Sequence, residues 1–366
     1  LGDVYKRQVK HTRLRCMATL PKNVMQHRKV LKETGLAFAK SIPLVGPHIE
    51  AAEKMFTLFS EINATTCRDR FNRYIMGIGE ICDDEIDISR EHFSALVKKL
   101  VLDDEDKKTE YYIRLTVSLA RSSLNDDERL LFIHVLSELT CSDIDYARKL
   151  YIATNATIKG FKTSASAQAS ITSQKKALSL RSLNKLISSG LVYEDRTGEI
   201  KANPGYKLTS DLERLLGFIF HNDDLQPTAL SIESKEEYDV IIIDSDKIYR
   251  GSYPNILYRQ LRAAGVKVCI EKSEDCIADK LAKFFISVQQ GSGLNGLGEW
   301  INYGEICVLK HLDKSTNRFY ESEFRETVDR EHFSPRDDDS SFDASKLNTA
   351  LNKVAAFVLG RLSLSI

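Results

Sequence analysis

The chain has 366 residues, and its 52 lysines and arginines balance 52 aspartates and glutamates, so the formal charge is zero. That excludes a uniformly basic nucleic-acid coat and an acidic solvating tail as whole-chain readings. With 42% hydrophobic and 28% charged residues the chain can bury a core, and at ~100–200 residues per domain two or three domains are expected.

Leu1 to Gln8 look like translated sequencing-adapter read-through and are set aside from fold reasoning. Met17 and Met25 offer alternative starts, and residues 1–24 are read as a non-native or disordered leader. The apolar stretch Gly35 to Pro47 is cut by Lys40, Pro43 and Pro47, well short of the ~20 residues that a membrane span needs. A buried or interfacial hairpin is expected there, and no membrane span. Seven scattered cysteines lack a CxxC and eight dispersed histidines lack HExxH or HxH. This argues for free thiols in a reducing cytoplasm and gives no metal site.

From about Lys22 to Tyr151 apolar residues recur at three-to-four-residue steps, the helical period. Helices are expected over Leu31–Ala39, Ile49–Ile62 and Phe71–Ile81, then from Ser89, as cap, through Val101. Asp103 to Lys108 reads as a solvated acidic loop or helix start. Asn125-Asp-Asp-Glu128 reads as an N-cap with acidic first-turn residues, and Thr140 and Ser142 offer a last start. Together these form a helical domain over 25–160.

Residues 163–174 are small and polar without apolar periodicity, as in a linker or mobile loop. A short amphipathic helix follows from Leu178 and ends at Gly190. A strand at Leu191–Asp195, a turn at Arg196–Gly198, a strand at Tyr206–Thr209 and a helix at Ser210–Ile219 complete the pattern of a winged helix. Linker and winged helix occupy 161–221.

Asn222 to Thr228 is a breaker-rich boundary, beyond which the period changes. Tyr238–Ile243 is a β-branched run of the kind that forms a strand buried on both faces. A helix at Tyr253–Gly265, a strand at Val266–Glu271 and a helix at Ile277–Ile286 follow. A Gly-rich stretch (Gly291, Gly293, Gly296, Gly298) reads as a mobile loop or lid before Trp300 and a strand at Glu305–Lys310. An acidic loop, Ser334 to Ser341, precedes a final helix, Leu347 to Leu362. The βαβα opening demands a right-handed crossover and parallel strands, hence an α/β domain over 229–366. The fold class is α+β multidomain: an N-terminal helical bundle, a central winged helix and a C-terminal α/β domain, Rossmann-like or anticodon-binding-like.

Asp104–Tyr112, Leu124–Arg129, Phe132–Thr140 and the closing Tyr206–Thr209 resemble the helical-plus-winged-helix arrangement of bacterial abortive-infection alpha-type proteins, over roughly 30–220. The resemblance implies a phage-defence or stress-response setting and carries over no catalytic residue. Asp239–Ile243, Leu257–Val268, Ala278–Ala282 and Gly304–Asp313 resemble the anticodon-binding domain of class II aminoacyl-tRNA synthetases, departing from it where Gln289 to Gly298 intervenes. A TIR-like NADase is a further α/β candidate.

Open α/β sheets bind ligands beyond the carboxyl ends of their strands. Asp244, Ser245 and Asp246 follow the first strand, and Arg250, Gly251 and Ser252 precede the next helix, where amide groups and Arg250 offer an anion seat. Glu271, with Glu274 and Asp275, follows the second strand on the same sheet edge. No GxGxxG or GxxxxGK[ST] is present, and the cofactor is left open. In the winged helix Lys175, Lys176, Arg181 and Lys185 offer phosphate contacts, opposed by Glu194, Asp195 and Glu199 in the wing. The expected function is a cytoplasmic regulatory or sensing protein binding a nucleotide-like ligand or a macromolecule, with a protein partner or self-association. An effector enzyme that hydrolyses a nucleotide, and a nucleic-acid binder acting through the winged helix, are the alternatives.

Overall fold

The computed structural model describes residues 67–81, 88–195, 205–244, 252–294, 300–311, 320–329 and 344–363. The expected leader, the 35–47 hairpin and the first two helices lie outside them. The described part mixes helices and strands, as an α+β chain does. In chain order the helices are α1 (67–81), α2 (Arg90–Leu102), α3 (Thr109–Arg121), α4 (Asp126–Glu138), α5 (Cys141–Asn155), α6 (Ser164–Thr172), α7 (Ala177–Ser188), α8 (Ser210–Ile219), α9 (Ser252–Ala263) and α10 (Ala344–Ser363). The strands are β1 (Val192–Asp195), β2 (Gly205–Leu208), β3 (Glu236–Ile243), β4 (Val268–Glu271), β5 (Lys280–Leu294), β6 (Trp300–His311) and β7 (Tyr320–Asp329). They divide into two compact units that interleave along the chain. The first takes residues up to Asp145, then Lys185–Leu191 and Thr209–His221; the second takes Tyr146–Asn184, Val192–Leu208 and the rest from Asn222. One change of unit falls between His221 and Asn222, and residues 160 and 229 both lie inside second-unit segments.

In the first unit the helix starts are set by side-chain caps. Ser89 Oγ accepts the His92 amide at 3.2 Å, and Asn125 and Glu128 form a reciprocal capping box. Tyr74, Phe93, Leu96, Leu100, Tyr112, Leu119, Phe132 and Leu136 are fully buried, the apolar stripes of α1 to α4. Helix α8 belongs to the same core. Leu212, Leu215, Leu216 and Ile219 are buried, the Phe218 ring meets Phe132 edge-on at 5.2 Å, and the Ser118 hydroxyl donates to the Phe218 carbonyl at 3.0 Å.

The acidic run at 103–108 is a helix start, a 3-10 turn at Asp106–Lys108 that leads into α3, and it is only partly solvated. Asp103 and Lys108 are buried and form an ion pair, and the Tyr112 hydroxyl donates to Asp103 at 3.0 Å. Arg70 donates to the Leu100 carbonyl at 3.1 Å and also to the Asp103 carbonyl. The run therefore uses its charges to close a turn whose backbone would otherwise be left without partners.

In the second unit the expected linker at 163–174 is largely helix α6. Thr163 and Ser166 form a capping box, Ala167 is buried with Ile152, Ala153 and Ile158, and the buried Gln168 bonds Thr154 Oγ1 and the Tyr206 amide. Small residues there permit close packing, which periodicity does not reveal. Helix α7, whose last residues from Lys185 belong to the first unit, ends as expected at Gly190, whose φ of 70° suits glycine, with Leu191 N bonded to Leu186 O at 2.9 Å. β1 and β2 pair antiparallel, Val192 opposite Leu208.

The large sheet has the order β4-β3-β5-β6-β7, with β3 parallel to β4 and β5, and β6 and β7 antiparallel. The β3-α9-β4 unit is the expected parallel crossover, with α9 ended by Gly265 at φ 84°. One face of the sheet (Val240, Ile242, Phe284, Ile286, Val308) packs on α9 and α10 through Leu257, Leu261, Leu351, Val354 and Val358. The other face (Ile241, Ile243, Phe285) packs on Ile277. The expected helix at 277–286 is instead a 3-10 turn, Glu274–Ala278, followed by β5. A central strand buried on both faces loses the two-residue alternation, and Ile277, Leu281 and Phe284 then imitate a helical stripe. Gly291 and Gly293, expected in a lid, lie in β5 opposite Tyr303 and Ile301 of β6.

Candidate functional site

Strands β3 and β4, which precede the expected ligand residues, end side by side. Ile243 pairs with Glu271, and the Asp244 amide donates to the Glu271 carbonyl at 2.6 Å, so the two acids expected on one sheet edge do lie on adjacent strand ends. The buried Tyr253 hydroxyl donates to the Ile243 carbonyl and pins the first turn of α9 against the end of β3. Ser252 is the first residue of α9; Ser245, Asp246, Arg250 and Gly251 lie outside the described residues.

Glu271 is engaged. It pairs with Lys280 and accepts from the Cys269 thiol at 3.1 Å, while Lys280 Nζ stands 3.2 Å from Cys269 Sγ. Burial pushes the Glu271 carboxyl up, but the bonds from Lys280 and Cys269 outweigh it and hold the group below the usual range. Lys280 is pushed up in turn, chiefly by its bond to Glu271. Glu271 is thus a fixed anion, suited to orienting a neighbour and unsuited to accepting a proton near neutrality. Glu274 and Asp275 sit in the first turn after Ser273, whose hydroxyl accepts the Asp275 amide at 3.1 Å. No group of three metal-ligating side chains occurs among the described residues.

Sequence reasoning missed what lies next to this edge. The segment between α5 and α6 is stitched to the strand-end turn within the second unit. The Gly160 amide donates to the Ala278 carbonyl at 2.8 Å, Lys162 pairs with Asp275 at 2.7 Å, and Lys235 N donates to Thr157 O at 3.0 Å. At the centre the buried Lys235 ammonium donates to the carbonyls of Lys162 (3.2 Å) and Ile277 (2.5 Å). Burial holds the Lys235 amine below its ordinary range. Gly160 has φ 88°, a conformation suited to glycine, and no other signal in the sequence marks this seam.

Of the expected phosphate-binding residues, Lys175 and Lys176 lie just before α7 and Arg181 one turn into it, all exposed and without an ion pair among the described residues. Lys185 pairs with Glu138 at 3.0 Å within the first unit. In the wing, Asp195 is matched by Lys207 on the neighbouring strand at 3.0 Å, which removes part of the expected repulsion. Glu199 lies outside the described residues.

No described helix is long and apolar enough to cross a membrane. Comparison with protein-family models, curated protein sequences and solved structures finds no match to this chain.

Proposed function

We propose that this is a regulatory or sensing protein. The start of α7, with α6 and the β1-β2 hairpin, docks a macromolecule, and the Rossmann-like sheet takes a nucleotide-like ligand at the Asp244–Glu271 edge. The single observation that carries the reading is the seam around Lys235. The turn that follows Glu271 is bonded directly to the segment that leads into α6, so a change at the strand ends has a short bonded route to the docking helices. The resemblance of residues 30–220 to abortive-infection proteins adds phage defence as the setting.

The test is hydrogen exchange with ATP, GTP, NAD and a cyclic dinucleotide added separately at millimolar concentration. A nucleotide that raises the melting temperature is expected to slow exchange at 157–172 as well, and Asp244→Asn is expected to abolish both effects. Lys235→Met is expected to keep the thermal shift and lose the exchange effect. If none of these nucleotides shifts the melting temperature, or if Lys235→Met leaves the exchange response intact, the reading fails.

A further inference from the structure

Between Asp145 and Glu194 the chain contains no aspartate or glutamate over 48 residues, yet it carries eight lysines and arginines. A chain that is neutral overall has therefore set aside one segment of charge +8. Four of these cations are satisfied by groups from outside the segment. Lys159 pairs with Glu233 at 2.5 Å, Lys162 with Asp275 at 2.7 Å and Lys185 with Glu138 at 3.0 Å, while Arg148 donates to the Asp224 carbonyl at 2.7 Å. The other four, Lys149, Lys175, Lys176 and Arg181, are exposed, and none pairs with a carboxylate among the described residues. All four belong to the second unit.

We propose that Lys175, Lys176 and Arg181 at the start of α7 form a binding surface for duplex DNA. This rests on the docking role proposed above for the start of α7 and names its partner. Three further features favour duplex DNA. The exposed face of α7 continues from Arg181 to the uncharged Asn184, one turn on, and is flanked by the exposed Leu178 and Leu180, 67% and 45% accessible. A helix with cations at one end and polar and apolar side chains beyond them fits the ~12 Å major groove of B-DNA, where phosphates flank base edges and thymine methyls. A-form RNA closes that groove to side chains, and single strands are held by aromatic stacking, whereas α7 has no aromatic residue.

The test is fluorescence anisotropy of the full chain with a labelled random-sequence DNA duplex, the RNA duplex of the same sequence, and poly-glutamate of matched charge, over a salt series. With three phosphates neutralised, the slope of log affinity against log salt is expected at about −2.7, so a fourfold rise in salt weakens binding by about 40-fold. Each of Lys175→Glu, Lys176→Glu and Arg181→Glu is expected to flatten the slope by about 1, with Arg181→Gln as a milder control of folding and circular dichroism confirming the helix content. Lys185→Gln is expected to leave the slope unchanged. An undiminished slope in the triple reversal, equal affinity for poly-glutamate, or tighter binding of the RNA duplex overturns the proposal. The nucleotide-dependent exchange response needs no DNA, so its presence without DNA binding would leave the sensing role standing with a different partner.

Discussion

Lys108 is a charged side chain sealed inside a helical core, and Asp103 is what makes that tolerable. Removing one member of a buried pair strands the other charge, so Asp103→Ala is expected to cost about 3–5 kcal/mol in denaturant unfolding of the first unit. The double change Asp103→Leu with Lys108→Met should recover most of that loss. A single-variant cost below about 1 kcal/mol would show that the Lys108 ammonium reaches water. Tyr146 presents the opposite case: its buried hydroxyl has no hydrogen-bond partner among the described residues. Tyr146→Phe is therefore expected to be neutral or to stabilise by about 1 kcal/mol. Burial, and then the nearby Tyr206, push the Tyr146 phenol from its ordinary value of 10.0 up to about 12. The folded chain holds that proton more tightly than the unfolded chain. Its contribution is thus intact below pH 10 and is lost as pH rises from 10 through 12, and the alkaline melting profile of Tyr146→Phe should be flatter across that window.

At the scale of elements, the caps and breaks were the most legible part of the sequence. Ser89, Asn125 and Gly190 each carry a local rule, and each stands at the helix end where that rule puts it. Gly190→Ala meets no steric obstacle but must hold φ at 70°, so a loss of about 1 kcal/mol is expected from strain alone. What the sequence concealed was set by burial on two sides or by small residues. β5 read as a helix because Phe284 and Phe285 face different cores, and α6 read as a linker because alanine and serine give no stripe. Of the candidate site, the placement of Asp244 beside Glu271 was legible from strand order, whereas the engagement of Glu271 by Lys280 depends on a side chain from a strand taken for a helix. Helix α8 anchors the first unit although it comes far along the chain. Leu216→Ala is expected to cost about 2–5 kcal/mol and to shift the unfolding midpoint of the first unit.

For the whole molecule, net charge conveys less than charge layout. The zero total is the sum of an acid-free segment of charge +8 and a remainder of charge −8, and three carboxylates from that remainder neutralise part of the segment. The interleaving of the two units also has a consequence for how the protein is made. At ~5–20 residues per second, a ribosome takes about 3–13 seconds to go from Asp145 to Thr209. During that interval the nascent first unit waits with the apolar surface meant for Leu212, Leu215, Leu216 and Ile219 still uncovered. Meanwhile a stretch destined for the other unit emerges. A chain released after residue 160 would keep that surface open for good, so such fragments should be aggregation-prone, and fragments extended through His221 much less so, when sedimented after cell-free synthesis.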